Sequence, residues 1–258
     1  MKNHGLNVLT SGILLATWLS SRAGELTVAA AADLKFAMEE LVAEFHTNQP
    51  GTTVKVTYGS SGNFFAQIQN RAPFDLYFSA DIEYPRKLAE AGHALDANVF
   101  IYGVGRIVVW APKSSPLRVE QLGIQSLMAP SVKKIAIANP QHAPYGRAAL
   151  AAMKSLGVYE QVESRLVYGE NIAQTSQFIQ SGAADAGIIA LSLALAPQMR
   201  TAGRYWEVPM DAYPKMEQGG MIVKWTKQPD AARVFRDFVV GQHGREVLKR
   251  YGFFLPVK

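Results

Sequence analysis

Four short stretches carry side chains suited to holding an anion: "AAADL" at 30–34, "YGSSGNFF" at 58–65, "NPQHAPYGR" at 139–147 and "GENIAQT" at 169–175. Each stands where an apolar, strand-like run gives way to a helix-like one. A helix N-terminus offers unpaired backbone N–H groups and the positive end of its dipole. In parallel α/β sheets, ligands bind at such strand-to-helix turns. The first turn holds Asp33, which accepts hydrogen bonds only, when ionised. The second adds the hydroxyls of Ser60 and Ser61, flanked by Gly59 and Gly62, which permit close backbone approach and unusual dihedrals. The third sets Pro144 at a helix start, where its missing N–H costs nothing, and Tyr145 beside it as a phenol donor. The fourth offers Asn171 as a cap and Ile172 through its backbone alone.

Apart from Arg147, which closes the third stretch, none of the four turns carries Lys or Arg. A dianion can still be held by neutral dipoles, with about half a charge per helix end and several N–H and O–H bonds. Fixed donors around a fixed radius also select by size. Any one turn is equally an ordinary helix cap. Two from each half of the chain describe a site closed by the meeting of two lobes.

Other chemistries fit less well. The chain has no cysteine, which excludes disulfide scaffolds, thiolate metal sites, thiol catalysis and a lipid-modified N-terminal Cys. There is no H-E-x-x-H and no close His pair. Asp81 and Glu83 in "SADIEY" read as a loop or helix cap rather than a metal pair. A hydrolase triad of Ser61, His142 and Asp33 would assemble only on closure, and "GSSGN" is not the G-x-S-x-G elbow. An ester assay separates that reading from a binding protein.

The elements that must position these residues alternate along the 258 residues. "ELTVAAAA" is a strand, and the helix after it sets Leu34, Ala37, Met38, Leu41, Val42 and Phe45 on one face. Strand-helix steps recur through "TVKVTYG", "FDLYFSAD", "KKIAIANP", "SRLVYGE" and "DAGIIA", and the C-terminal "AARVFRDFVVGQHGREVLKRYG" is helical. This is α/β architecture with mostly parallel sheets. Two apolar strands, "GRIVVWAP" and "GGMIVKW", are each preceded by glycines and read as a two-strand hinge between lobes. Residues 1–23, with Lys2, an apolar stretch and small residues before the cut, read as a secretory signal peptide. One lobe is then expected from 25–105 with 220–258, and the other from 106–219.

The whole chain has 26 Lys and Arg against 21 Asp and Glu. Losing Lys2 and Arg22 with the leader leaves about +3. That mild bias fits an anionic ligand and is too weak for a nucleic-acid partner.

"AAADLKFAMEEL", "GSSGNFFAQIQNRAPFDLYFSAD", "IAIANPQHAPYGRAA", "GENIAQT" and "RYGFFLP" together resemble, in order, the periplasmic molybdate-binding proteins of ABC transporters, the ModA family. The resemblance spans nearly the whole chain after the leader. It implies the two-lobed periplasmic-binding-protein fold of type II, closing on a tetrahedral oxyanion. It also implies molybdate or tungstate as ligand without a cofactor, a membrane permease as partner, a periplasmic location and a monomer. The family's first contact, usually a Ser after "AAA", falls on Asp33, and the Ser of the second turn on Ser61. The residue after the third-turn Pro falls on Tyr145, and the fourth turn's backbone contact on Ile172. A Tyr that some members carry after "GIV" falls on Ala190, which donates nothing, so Tyr145 is expected to supply the missing phenol. Ser60 is a weaker candidate beside Ser61.

Asp33 keeps a second ligand open, because a carboxylate accepts a hydrogen bond from a protonated oxyanion such as phosphate and repels an unprotonated dianion. Three arrangements reconcile it with a dianion: the side chain caps its own helix, it binds a proton with the ligand, or the ligand carries the proton. The capping arrangement is the expectation, because Asp is a strong N-cap.

Overall fold

A computed structural model of the chain describes residues 24–96 and 98–255. The expected leader and the last three residues lie outside this range. The strands are β1 (Gly24–Ala31), β2 (Thr52–Gly59), β3 (Leu76–Ser79), β4 (Phe100–Gly105), β5 (Ile107–Pro112), β6 (Ile135–Ala138), β7 (Leu166–Gly169), β8 (Ala186–Ala190), β9 (Gly203–Glu207) and β10 (Met216–Ile222). The helices are α1 (Lys35–Asn48), α2 (Ser61–Gln69), α3 (Glu83–Glu90), α4 (Val119–Leu122), α5 (Pro144–Ser155), α6 (Tyr159–Val162), α7 (Ile172–Gln180), α8 (Leu191–Ala194), α9 (Pro197–Ala202), α10 (Pro229–Val240) and α11 (Gln242–Arg250).

The strands form two five-stranded sheets, ordered β2-β1-β3-β10-β4 and β7-β6-β8-β5-β9. Each is the sheet of one lobe. In each sheet four strands run one way and one runs against them: β10 is antiparallel to β3 and β4, and β5 is antiparallel to β8 and β9. The two reversed strands are those by which the chain enters from the other lobe. Strands that end at the cleft point towards it, so one arriving from across the cleft must run away from it. The sheets are therefore mixed, with parallel order among β2, β1 and β3 and among β7, β6 and β8.

The first crossing is at Arg106, which splits the apolar run 100–112 into β4 and β5. The return runs through 208–215, because β10 already pairs with β4 from Met216 onward, ahead of the boundary expected at 220. Arg106 and Glu207 form an ion pair that ties the two crossings together.

Both faces of the first sheet are covered, as a largely parallel arrangement requires. Leu26, Val28 and Ala30 pack under α1 and α10 with Leu34, Met38, Leu41, Phe45 and Phe235. On the other face lie Ala29, Phe64, Ile68, Tyr77 and Leu88. The second sheet is buried through Ile107 to Ala111, Ile135 to Ala138 and Ile188 to Ala190. The tail is held by Phe253, buried against Tyr102, and by the Tyr251 hydroxyl on Glu40. Strand β9, "GRYWE", carries no strand signal in its sequence: it is half-buried along its length and neither alternates nor forms an apolar run.

Candidate functional site

The expected turns all lie at strand ends facing the cleft. β1 ends at Ala31 and passes through a tight turn, Ala32–Leu34, into α1. The small side chains Ala29 to Ala32 are almost wholly buried and let the other lobe come close. Asp33 is only 1% exposed. Its carboxylate does not cap its helix, contrary to expectation: neither the turn nor α1 has a side-chain capping bond. Instead Oδ2 accepts from the Tyr145 phenol at 2.8 Å and from Gln218 Nε2 at 2.9 Å. Gln218 Nε2 also donates to the Tyr145 oxygen at 2.9 Å. Ser192 Oγ, from α8, donates to the Asp33 carbonyl at 2.8 Å. The cap lost because partners from the other lobe and from β10 meet the carboxylate first.

This cluster has more acceptors than donors. Asp33 Oδ1 and Gln218 Oε1 are buried with no hydrogen-bond partner. Burial pushes the Asp33 carboxyl up from 3.8 to about 6, against the opposing pull of Gln218, Tyr145 and the nearby N–H groups of Asp33 and Leu34. Burial and the Asp33 carboxylate hold the Tyr145 phenol well above its ordinary value, so it stays protonated and donates.

Gly105, the last residue of β4, makes the cluster possible. A Cβ there would stand 2.3 Å from Gln218 Nε2 and 2.5 Å from the Tyr145 oxygen.

Ser61 opens α2 and is 1% exposed. Its Oγ accepts from the Ala80 N–H at 2.9 Å, which leaves its own proton to give. Tyr77 fixes the turn by donating to the Ser61 carbonyl at 2.7 Å. Ser60 is the N-cap: its Oγ accepts from Asn63 N at 3.4 Å and lies 2.9 Å from His142 Nδ1. Gly62 serves close approach, as expected, since a Cβ would meet the His142 carbonyl at 2.6 Å and the Gly62 N–H donates to that oxygen at 2.9 Å. Neither Gly59 nor Gly62 has a positive φ, so unusual dihedrals are not their reason.

In the other lobe, Pro144 and Tyr145 begin α5. Ile172 begins α7, which packs against the Asp33 turn. The Asn171 side chain accepts from the N–H groups of Ala173 and Gln174, both at 3.0 Å, leaving that of Ile172 outside the cap. Ala190 ends β8, fully buried, and presents a methyl group. The phenol expected to replace a donor there spends its proton on Asp33.

The lobes are shut on one another. Besides the bonds above, Asn63 Nδ2 donates to Glu170 at 2.6 Å, and Arg147 reaches Asp81 at 2.6 Å and the Tyr84 hydroxyl at 3.2 Å. Asp81 Oδ1 also accepts from Glu83 N at 3.0 Å in the turn that leads into α3, so the acidic pair belongs to a local turn. Beside the site a cleft of about 490 Å³ runs between Ala80–Arg86, Pro144–Ala148 and Pro214–Glu217. No triad forms: His142 meets Ser60 rather than Ser61, and Asp33 meets Tyr145 and Gln218.

The description of the family "Bacterial extracellular solute-binding protein" matches residues 26–254. The chain belongs to the bacterial extracellular solute-binding proteins. Among relatives of this solute-binding protein is the molybdate-binding protein ModA of Rhodobacter capsulatus, 35% identical over 241 residues, covering 93% of this chain and 92% of that one. ModA of Azotobacter vinelandii is 36% identical over 236 residues, covering 92% of each. The solved periplasmic molybdate-binding protein of Azotobacter vinelandii superposes with a TM-score of 0.83 at 33% identity, over 90% of this chain and 100% of that one. The chain is thus a binding protein and not an enzyme. Sequence reasoning missed Gln218 and Ser192. The glycine pair after Gln218 drew attention to β10, but nothing local marks Gln218 as a partner of Asp33.

Proposed function

We propose that this solute-binding protein captures molybdate, and equally tungstate, between its lobes in the periplasm and hands it to the permease of an ABC transporter, acting as a monomer without nucleic acid or cofactor. Asp33, Ser61, Tyr145 and Ile172 are the proposed ligand residues, with Ser60 and Ala190 lining the site. The observation that carries the reading is the closure of strand-end turns from both lobes on one buried point. Three helices, α2, α5 and α7, begin around it, and Ser61 keeps an unspent hydroxyl proton there. Likeness to the ModA proteins over more than nine-tenths of the chain agrees with it.

The ligand bridges the lobes and so stabilises the closed form over the open one. A thermal-shift screen with molybdate, tungstate, sulfate, phosphate and chromate tests this. At about a hundred times its dissociation constant a ligand adds roughly 2.7 kcal/mol. Molybdate and tungstate should both raise Tm, and sulfate, being smaller, should do little. The buried carboxylate of Asp33 favours a second reading, an oxyanion that brings its own O–H, such as phosphate. A response to phosphate alone would replace the first reading with the second.

A further inference from the structure

We propose that the site takes up one proton with its oxyanion, and that this proton resides on Asp33. The inference rests on the oxyanion reading above and deepens it. The donor inventory carries it. In the closed site Tyr145 has one proton, and it goes to Asp33 Oδ2. Gln218 shares its Nε2 between Asp33 and Tyr145. The carboxylate therefore consumes the donors that a bound anion needs, while Oδ1 and Gln218 Oε1 remain buried and unpartnered. One added proton reverses this. A neutral carboxyl carries an O–H where an acceptor-only group stood, and it removes a negative charge from beside the incoming dianion. No bond to the ligand's central atom is made or broken, and the proton comes from solvent.

Among the described residues no cation does this work instead. Against the Asp33 turn stand Tyr145 from α5, Gln218 from β10 and Ser192 from α8. Tyr102 of β4 lies within electrostatic reach, and its hydroxyl donates to the Ser79 carbonyl at 2.9 Å. Residues 172–180 of α7 and 191–194 of α8 contain no titratable side chain. On its own element, the Lys35 ammonium lies over the Phe36 ring. Arg106 pairs with Glu207, Arg147 with Asp81, and Lys215 with Glu217, next to Gln218. The elevated carboxyl, about 6 before any ligand arrives, lies in the direction that makes uptake easy.

The test is titration calorimetry with sodium molybdate in buffers of different ionisation enthalpy, on the wild type and on Asp33→Asn. Above about pH 6 the free site is ionised and the complex carries the proton, so linkage weakens binding as pH rises, about tenfold per unit. The wild type should absorb about one proton per molybdate at pH 7.5. Asp33→Asn, which has an N–H donor in place of the proton, should exchange none, show a flat pH profile and bind more tightly than wild type at pH 8. Molybdate binding to the wild type without proton uptake overturns the proposal. Uptake that persists in Asp33→Asn overturns it as well, since the proton then sits on the ligand. Should the variant misfold, the wild-type proton count still decides whether uptake occurs. Absence of molybdate binding by folded wild type at pH 6 and at pH 8 is a different result: it defeats the oxyanion reading itself.

Discussion

The Tyr145 phenol donates to Asp33 Oδ2 at 2.8 Å, joining residues 112 positions apart that sit on opposite lobes. The bond makes the state of the lobes and the state of one carboxylate a single property. Opening the cleft breaks it and returns Asp33 towards water. Closing it removes a charge from water with only neutral donors in exchange.

Gly105 is the point at which that coupling is most exposed to mutation. In Gly105→Ala the new methyl would overlap both Gln218 Nε2 and the Tyr145 oxygen. Both belong to buried side chains, so neither can swing into solvent without opening the cleft. Each lobe keeps its own sheet and core, so the far-ultraviolet circular dichroism should be that of wild type. Small-angle scattering should report a more open molecule in the presence of molybdate. Affinity should fall at least tenfold, corresponding to about 1.4 kcal/mol. A variant that closes and binds normally would show that the cluster tolerates a gap.

Ser61→Ala should weaken molybdate binding about ten- to hundredfold. On the proposed function the hydroxyl gives its proton to a charged acceptor, a bond worth about 1.5–3 kcal/mol. Its loss also strips the buried Ala80 N–H of its acceptor. Calorimetry measures the first effect and thermal melting of the free protein the second. Unchanged affinity would move the anion away from α2.

Stability should depend on pH through Asp33, with a sign opposite to that of most carboxylates. Its folded value, about 6, lies above the ordinary 3.8. Stability from the neutral form is complete below about 3.8 and is lost as pH rises through about 6. The difference between the two values corresponds to about 3 kcal/mol. Asp33→Asn should therefore melt at a higher temperature than wild type at pH 8, and the gap should close by about pH 4. Comparing the two proteins at each pH cancels the acid destabilisation shared by other carboxylates. A gap independent of pH would mean that Asp33 is ionised equally in both states.

Much of the fold is legible because its signals are local. The 3.6-residue spacing of Ala37, Met38, Leu41 and Phe45 reports a helix face whatever it packs on, and all four are buried in α1. Four strand-to-helix turns after four apolar runs mark where strands end, and in an α/β protein that marks where a ligand can sit. Ser61, Tyr145 and Ile172 were visible for that reason, as residue types at positions of known geometry. The apolar runs "GRIVVWAP" and "GGMIVKW" likewise disclosed two special strands, although the second strand, β10, runs from Met216 to Ile222.

Tertiary structure alone decided how those residues are used. Gln218 meets Asp33 across 185 positions, and no periodicity relates them. Asp at the start of a helix reads as a cap because, in isolation, the nearest donors are its own backbone. In the folded chain a phenol and an amide reach it first. The direction of β5 and β10 is equally non-local, since it follows from their arriving across the cleft. The sequence by itself determined which turns end strands at the cleft. The meeting of the lobes decided that one of them holds a buried carboxylate with too few donors, because burial and the count of hydrogen-bond partners exist only once distant segments have packed.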